Sequence, residues 1–467
     1  MKLKYIIVKK RILSVILLVS FAFASCEKFV ATDIAPTLVV VDDIYKTDGS
    51  ATAAVLAMYS YSNTTALLGY SSYLGGLDAD ELQYTGSTAT LLEFAASNVS
   101  SANSTSESYL WTYPYYIIGQ ANLAIDGLTK STTITTALKN QLLGEAKFFR
   151  AFAFFHLVNY FGGVPLSLSA TQIDNAYLPR ATADAVWAQI IVDLKDAQAL
   201  LPTAYAGTIA QKARVNKWAA TAFLARVYLY NKDYINAEAQ ATQVISSGTY
   251  SLDALSNVFI NTSNETILQF NTIYGYSTFG PNYRTTSSAA NVQPPVLVLY
   301  PTFTKSFEAG DNRKTNWVDS TTFNAIKYYR INKYKLLTGV ATNPGNEFNV
   351  VLRLAEQYLI RAEARAQQLN ISGAQADLNM VRNRAGLANT TAATQGPLLT
   401  AIAAERKVEL FGELGHRWFD LKRTGQADAV IGALKPTTWK STAVLLPIPY
   451  NQIILNKNLT QNPGYSN

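Results

Sequence analysis

Glu405, Glu409 and Glu413 recur every four residues, with Arg406, Arg417 and Arg423 in the same stretch. On a helix, carboxylates at that spacing share a face and repel one another unless cations are interleaved. Two such acids about 5–9.5 Å apart across a cleft would equip a glycosidase. Helix-packing residues seldom face a cleft, so a partly buried ion network is the expectation here. His156 stands among phenylalanines and His416 beside Trp418, where packing or capping is expected rather than proton transfer. Cys26 is the only cysteine, which leaves no cysteine–histidine set for zinc binding or nucleophilic catalysis. The chain has no phosphate-binding glycine loop and no dinucleotide fingerprint. Asp78, Asp80 and Glu81 could offer oxygens to calcium, but the spacing is not that of a full calcium loop. No cofactor is predicted, and the acidic patch is expected to be a solvated or hydrogen-bonding loop.

Residues 266–307 suggest binding without catalysis. They contain no Asp or Glu, and Arg284 and Lys305 are their only charges. Tyr274, Tyr276, Phe279, Tyr283 and Tyr300 are spread among Gly, Asn, Ser and Pro. Sugar rings present C–H faces that stack on aromatic rings, and tyrosine adds a hydroxyl to the apolar face. Asn271, Asn282 and Arg284 could supply directional hydrogen bonds. Tyr70, Tyr73 and Tyr84, around a 64–90 loop, could close the site from the other side. The candidate ligand-binding set is Tyr73, Tyr84, Asn271, Tyr274, Tyr276, Tyr283 and Arg284.

These residues need a scaffold, and composition provides for one. The 467 residues are 49% hydrophobic, 12% aromatic and only 15% charged, which excludes a disordered or coiled-coil chain. The net charge of +7 is concentrated at the start, where Lys2, Lys4, Lys9, Lys10 and Arg11 meet no acid in the first 25 residues. Without those five the rest carries +2. Nucleic-acid binding, which needs clustered cations, is therefore not expected. Ile12–Ala24 is apolar but shorter than the roughly 20 residues of a membrane-spanning helix. It has the flanks of a secretory signal peptide over residues 1–25. Phe23-Ala24-Ser25-Cys26 resembles a bacterial lipobox, which implies lipidation at Cys26 and a tether over 26–42.

Helical periodicity marks Ala51–Tyr61, a segment from Tyr109 with Trp111, Tyr115, Ile118 and Ala121 on one stripe, and 137–161, 183–201, 214–231 and 234–247. It returns at 352–369, 373–384 and 397–423. Residues 64–108 read as loop, and 252–348 as irregular chain with short strands at Thr266–Phe270 and Val296–Tyr300. Ala225, Tyr228, Tyr234, Ala237 and Ala241 match the small and aromatic positions of a tetratricopeptide hairpin, and Ala362 and Ala374 repeat the offset between Ala225 and Ala237. The fold class expected is mainly α, a tetratricopeptide-like helical-hairpin core with large loop and short-strand insertions. One domain is expected over 43–467, its helical core at about 43–62, 109–250 and 350–425.

Seven blocks in order go beyond pattern: Gly144–Leu166 (GEAKFFRAFAFFHLVNYFGGVPL), Arg180-Ala181-Thr182 with Val186, Ile190, Asp193 and Leu194, Ala355–Ala364 (AEQYLIRAEA), Asn379–Gly386 (NMVRNRAG), Glu405–Glu409 (ERKVE), Arg417–Arg423 (RWFDLKR), and Pro447-Ile448-Pro449 followed by Gln461–Tyr465 (QNPGY). Together they resemble the SusD/RagB family from Cys26 nearly to the C-terminus. The resemblance implies a lipoprotein on the cell surface, anchored in the outer membrane, that acts as a lid on a SusC-like TonB-dependent transporter. It implies capture of oligosaccharides or, in some members, peptides, with the helical-repeat face toward the transporter and the insertions toward the ligand.

The expected function is thus glycan binding and delivery, without enzymatic activity. A peptide-binding lid, a surface glycoside hydrolase and a purely structural partner of the transporter are the alternatives.

Overall fold

In a computed structural model the described residues are 41–63, 67–207, 212–272, 274–283, 295–337 and 345–466. The chain divides into Met1–Ile44 and Tyr45–Asn467. The signal peptide, Cys26 and the tether as far as residue 40 lie outside the described residues. Val41 and Asp42 open a four-residue helix, Val41–Ile44, where an extended tether was expected.

The second unit runs α1 (Asp48–Asn63), α2 (Leu67–Asp78), β1 (Leu82–Tyr84), α3 (Ala89–Ala95), a π-helical turn at Ser106–Thr112, α4 (Tyr113–Lys130), α5 (Thr136–Phe161), α6 (Ala183–Leu200), α7 (Lys217–Tyr230) and α8 (Tyr234–Ser246). It continues with β2 (Thr266–Phe270), β3 (Leu297–Leu299), α9 (Asn312–Trp317), β4 (Val318–Phe323), β5 (Ile326–Ile331), β6 (Asn349–Arg353), α10 (Leu354–Gln367), α11 (Ile371–Arg384), α12 (Gln395–Glu409), α13 (His416–Arg423), α14 (Ala427–Leu434) and α15 (Tyr450–Leu455). Side-chain caps start several helices: Thr182 accepts from the Ala185 amide, Asn216 from Ala219 and Asn370 from Gly373.

The described residues form a mainly helical fold. Every residue of α5 from Phe148 to Phe161, and every residue of α7 from Ala219 to Tyr230, is buried. A helix apolar on all sides belongs at the centre of its domain. Neighbouring helices α4 to α8 pack in sequence, and α8 passes the stack to α10, α11 and α12. Ala225, Ala237, Ala241, Ala362 and Ala374 are fully buried, so small side chains let the paired helices α7–α8 and α10–α11 approach closely. Phe148, Phe152 and Phe155 are core, and His156 is buried between them with Nδ1 2.9 Å from the Phe152 carbonyl. Burial pushes that imidazole down to about 4, leaving it neutral at physiological pH.

Three segments differ from expectation. Residues 64–108 hold α2, in which eleven of twelve residues are buried, and α3. Gly75-Gly76, within the stretch read as loop, is instead a helix contact: a Cβ on Gly75 would lie 2.8 Å from the Gly415 Cα. The 397–423 pattern breaks into α12 and α13 because Gly412 (φ +70°), Leu414 (φ 46°) and Gly415 (φ +73°) are left-handed. Residues 252–348 contain an unforeseen hairpin, β4–β5, which turns on Asn324 and Ala325 at positive φ. It extends a sheet of order β1-β3-β5-β4, while β2 and β6 pair separately.

The expected ion network exists, with other cations than those near in sequence. Arg353, the last residue of β6 and the start of α10, holds Glu413 at 2.9 Å, Glu265 at 2.9 Å and Glu409 at 2.5 Å. Arg313 reaches Glu405 at 2.6 Å and Glu409 at 2.8 Å. Arg384 pairs with Glu265 and Glu409, and Lys333 with Glu413 at 2.6 Å. All eight side chains are at most 7% exposed. Burial alone would raise the Glu413 pKa, but Arg353 and Lys333 outweigh it and hold the carboxyl below its usual range. Glu413 has left the helix, so only Glu405 and Glu409 share the α12 face. Arg406 and Arg423 turn to Asp420 and Glu363, and Arg417 to Asp80.

The acidic patch is buried rather than solvated. Asp80 accepts from Arg417 at 2.6 Å and Lys407 at 2.8 Å, and Glu81 from the Gly412 amide at 2.8 Å. Burial pushes Asp78 and Glu81 up to about 7, against opposing Lys435 for the first and the Gly412 N–H for the second. For Asp80 burial also raises the pKa, but the Arg417 hydrogen bond and charge prevail and bring it down to about 2.

Two outcomes follow from these charges. Arg353→Met removes the cation that Glu265, Glu409 and Glu413 share, leaves buried carboxylates short of charge, and should lower unfolding stability by about 3–5 kcal/mol. Urea denaturation measures this; a loss below about 1 kcal/mol would mean the remaining cations re-share the cluster. Asp80, ordinarily near 3.8 and here at about 2, contributes stability that is complete at neutral pH and lost on acidification. Between pH 6 and pH 3 the wild type should lose about 1 kcal/mol more than Asp80→Asn. Equal acid slopes for the two proteins would remove Asp80 from the account.

Candidate binding site

The tyrosines of α2, the π-helical turn and α4 come together in the fold. Tyr70 stacks on Tyr109 with ring centroids 3.4 Å apart and planes 9° apart. Tyr109 continues onto Tyr113 at 5.7 Å and 8°, the two rings one turn apart along the chain. Tyr73 leans on Tyr70 at 4.8 Å. Hydrogen bonding to Tyr70, then burial, pushes the Tyr109 hydroxyl up to about 12, and burial raises Tyr73 further. Tyr73 and Tyr109 thus stay protonated at physiological pH, and a phenol hydroxyl can both donate and accept. Because stacked rings cover each other's faces, the ladder offers edges and hydroxyls more than open faces.

The 274–283 segment meets the same helix. A Cβ on Gly69 would lie 3.8 Å from the Phe279 ring and 3.9 Å from the Asn282 amide. Asn349, buried at the start of β6, pins the segment by accepting from Ser277 Oγ at 2.6 Å and donating to Thr278 Oγ1 at 3.0 Å. The Glu347 amide donates to the Gly275 carbonyl at 3.1 Å. This backbone frame holds Tyr274 half out in solvent, at 50% exposure, stacked on Tyr276 at 5.5 Å. Tyr274 is thus an accessible aromatic face backed by a second ring.

The sequence-derived candidates divide. Tyr274 and Tyr276 are together and accessible, and Asn271 is exposed at the end of β2. Tyr73 and Tyr283 are only 8% and 2% exposed, which corrects their reading as ligand-facing rings: they pack the wall behind the ladder and the segment. Tyr84 is half-buried, and its hydroxyl accepts from the Thr88 amide within its own turn. Tyr300 is half-buried and starts the turn after β3. Arg284 lies outside the described residues. Sequence reasoning missed Tyr109 and Tyr113, although Tyr109, Tyr113 and Tyr116 form a second stripe at i, i+4 and i+7 beside the buried one of Trp111, Ile118 and Ala121.

Among the described residues the acids near these rings are already engaged. Glu81 and Glu413, whose charges reach Tyr283, are buried and tied to the Gly412 amide and to Arg353 with Lys333. His416 is buried beside the Tyr230 hydroxyl at 3.2 Å. The arrangement can stack and hydrogen-bond a ligand. Among the described residues no helix is long and apolar enough to cross a membrane.

Residues 75–229 match a family model described as "Starch-binding associating with outer membrane", and residues 262–465 match that of the SusD family. SusD-like protein P2 of Formosa agariphila is 28% identical over 77% of this chain and 80% of its own length. A SusD superfamily protein from Bacteroides vulgatus superposes with a TM-score of 0.77 at 21% identity, covering 90% of this chain and 100% of that one. A structure titled as a laminarin-binding SusD-like protein superposes with a TM-score of 0.74 at 25% identity, over 90% of this chain and 100% of the other. With two matched regions in order and a helical fold shared over nine-tenths of its length, the chain belongs to the SusD/RagB family.

Proposed function

We propose that this protein binds an uncharged glycan at the cell surface and hands it to a SusC-like TonB-dependent outer-membrane transporter. The exposed Tyr274 face, backed by Tyr276 and held on a neutral segment beside the tyrosine ladder, carries the reading. An oligosaccharide needs a flat apolar surface for its C–H faces and neutral donors and acceptors for its hydroxyls. Tyr274 and Tyr276 supply the first, and Asn271, Asn282, Tyr84 and Arg284 are proposed for the second. Tyr73 and Tyr283 act as supports behind them. The similarity to a laminarin-binding protein at 25% identity favours the same ligand class.

The protein works as a binder and not as a hydrolase in this reading. Near the rings, Glu81 and Glu413 are already committed to an amide, a guanidinium and an ammonium group. Residues 43–467 act as one domain, with the helical-repeat face toward the transporter. Residues 1–25 direct export, Cys26 carries the lipid anchor in the outer membrane, and the chain to residue 42 is the tether.

Two experiments test this. Calorimetry on the full chain in detergent, against panels of neutral oligosaccharides and of peptides, should show selective glycan binding. Tyr274→Ala should weaken it about five- to tenfold, the loss of one stacking ring of about 1–1.5 kcal/mol. Binding of peptides alone would replace the ligand class and keep the lid. Cys26→Ala should abolish fatty-acid labelling and release the protein from the membrane fraction; retention with full labelling would exclude anchoring at Cys26.

A further inference from the structure

Among the described residues two grooves have opposite chemistry. One, of about 620 Å³ against α8, α10, α12 and α13, is lined by seven charged side chains, among them Arg406, Arg417, Asp420 and Arg423, which bind one another or neighbouring acids. The other, of about 490 Å³, lies between α4, the chain that leaves α5 around Pro165–Ala176, and α15. None of its lining residues is charged.

The lining of the second groove is that of a carbohydrate site. Tyr116 and Leu455 reach solvent at 41% and 70% exposure while lining it. Large apolar side chains left exposed inside a groove mark an interaction surface. Around them stand the amides of Gln120, Gln172 and Gln452 and the hydroxyls of Ser167 and Ser169. Gln452 Nε2 donates to Glu107 at 3.0 Å, which fixes the amide and keeps that acid engaged. Asp174, adjoining the rim, is likewise held by Ser169 at 2.8 Å. A neutral groove that combines ring, aliphatic and amide surfaces suits a polyol and offers nothing to an anion or a cation.

The groove also continues the tyrosine ladder. Tyr109, Tyr113, Tyr116 and Gln120 are spaced at i, i+4, i+7 and i+11, so they follow one face of the α4 helix and the turn that precedes it. Tyr61, at the end of α1, packs edge-on against Tyr116 at 4.7 Å. The track therefore begins at Tyr70, beside the 279–283 segment, and ends in the groove.

We propose that the Tyr116–Gln120 groove is a second glycan subsite, which takes another stretch of the same neutral chain held near Tyr274. This rests on the glycan-binding reading above, and it adds a site that a short oligosaccharide would not need. Its consequence is chain-length dependence: long glycans gain from both sites and short ones from one.

The test is affinity electrophoresis of the full-length protein through gels containing neutral polysaccharides, laminarin among them, alongside calorimetry with their di- to hexasaccharides. Tyr116→Ala with Gln120→Ala should weaken retention by the bound polysaccharide about fivefold. Tyr116→Phe, which keeps the ring, should restore most of it. Tyr274→Ala should weaken both long and short ligands, and the combined variant should lose retention altogether. Wild-type retention of the Tyr116/Gln120 variant, with loss in Tyr274→Ala, would overturn the second subsite and leave the glycan function intact. Absence of any glycan binding by the wild type would overturn both. Far-ultraviolet circular dichroism of each variant verifies the fold, and substitution at exposed Tyr116 and Tyr274 and half-buried Gln120 should leave it unchanged.

Discussion

Arg353 is the residue on which the rest of the structure turns. It ends a strand and begins a helix, and its guanidinium joins three carboxylates that come from the residue before β2, the end of α12 and the turn beyond it. Removing four cations and the acids around them from water is costly, and the mutual pairing offsets that cost only with near-ideal geometry. Such a cluster tolerates few arrangements. It therefore fixes where the insertion of β2 to β6 sits against α10, α11 and α12. The same logic repeats outward: Arg226 grips Glu356 through two bonds of 2.6 and 2.7 Å between α7 and α10, and Arg150 grips Asp193 through 2.8 and 2.6 Å between α5 and α6.

This arrangement separates two jobs. The charges are concentrated in the interior and on the repeat side, where bidentate pairs set helix geometry. The segment with Tyr274 and Tyr276 is left nearly free of charge, yet it is held by Asn349 and by backbone hydrogen bonds. A binding surface for uncharged polyols gains from such rigidity, because less conformational freedom is lost when the ligand arrives. The charged blocks that make the chain recognisable as a SusD/RagB protein are thus engaged in ion pairs of the scaffold.

Much of the scaffold was legible in the chain. Periodicity located α1, α4 to α8 and α10 to α12, since an apolar stripe at 3.6 residues is a local property. The alanines of the paired helices marked close approach, and the phenylalanines of α5 marked a centre. The misreadings share one cause. Gly75-Gly76 lies in a stretch that reads as loop, because glycine is conformationally free, but α2 uses it to come close to Gly415. The break at 410–415 was invisible because left-handed residues there interrupt a pattern that otherwise stays helical. The site was half legible: Tyr274 and Tyr276 followed from composition, whereas Tyr109 and Tyr113 did not, because their stripe lies beside a stronger one.

By itself the sequence determined the class of fold, the family and the scarcity of charge in 266–307, all of which are written in residue types and short spacings. Tertiary structure alone decided which cations answer which acids, since Arg353 and Glu413 stand sixty residues apart. It also decided which tyrosines reach solvent: Tyr274 is exposed and Tyr283 is buried, although both lie in one aromatic, acid-free stretch. Burial is a property of what packs against a residue, and that partner is chosen by chain segments far away in sequence.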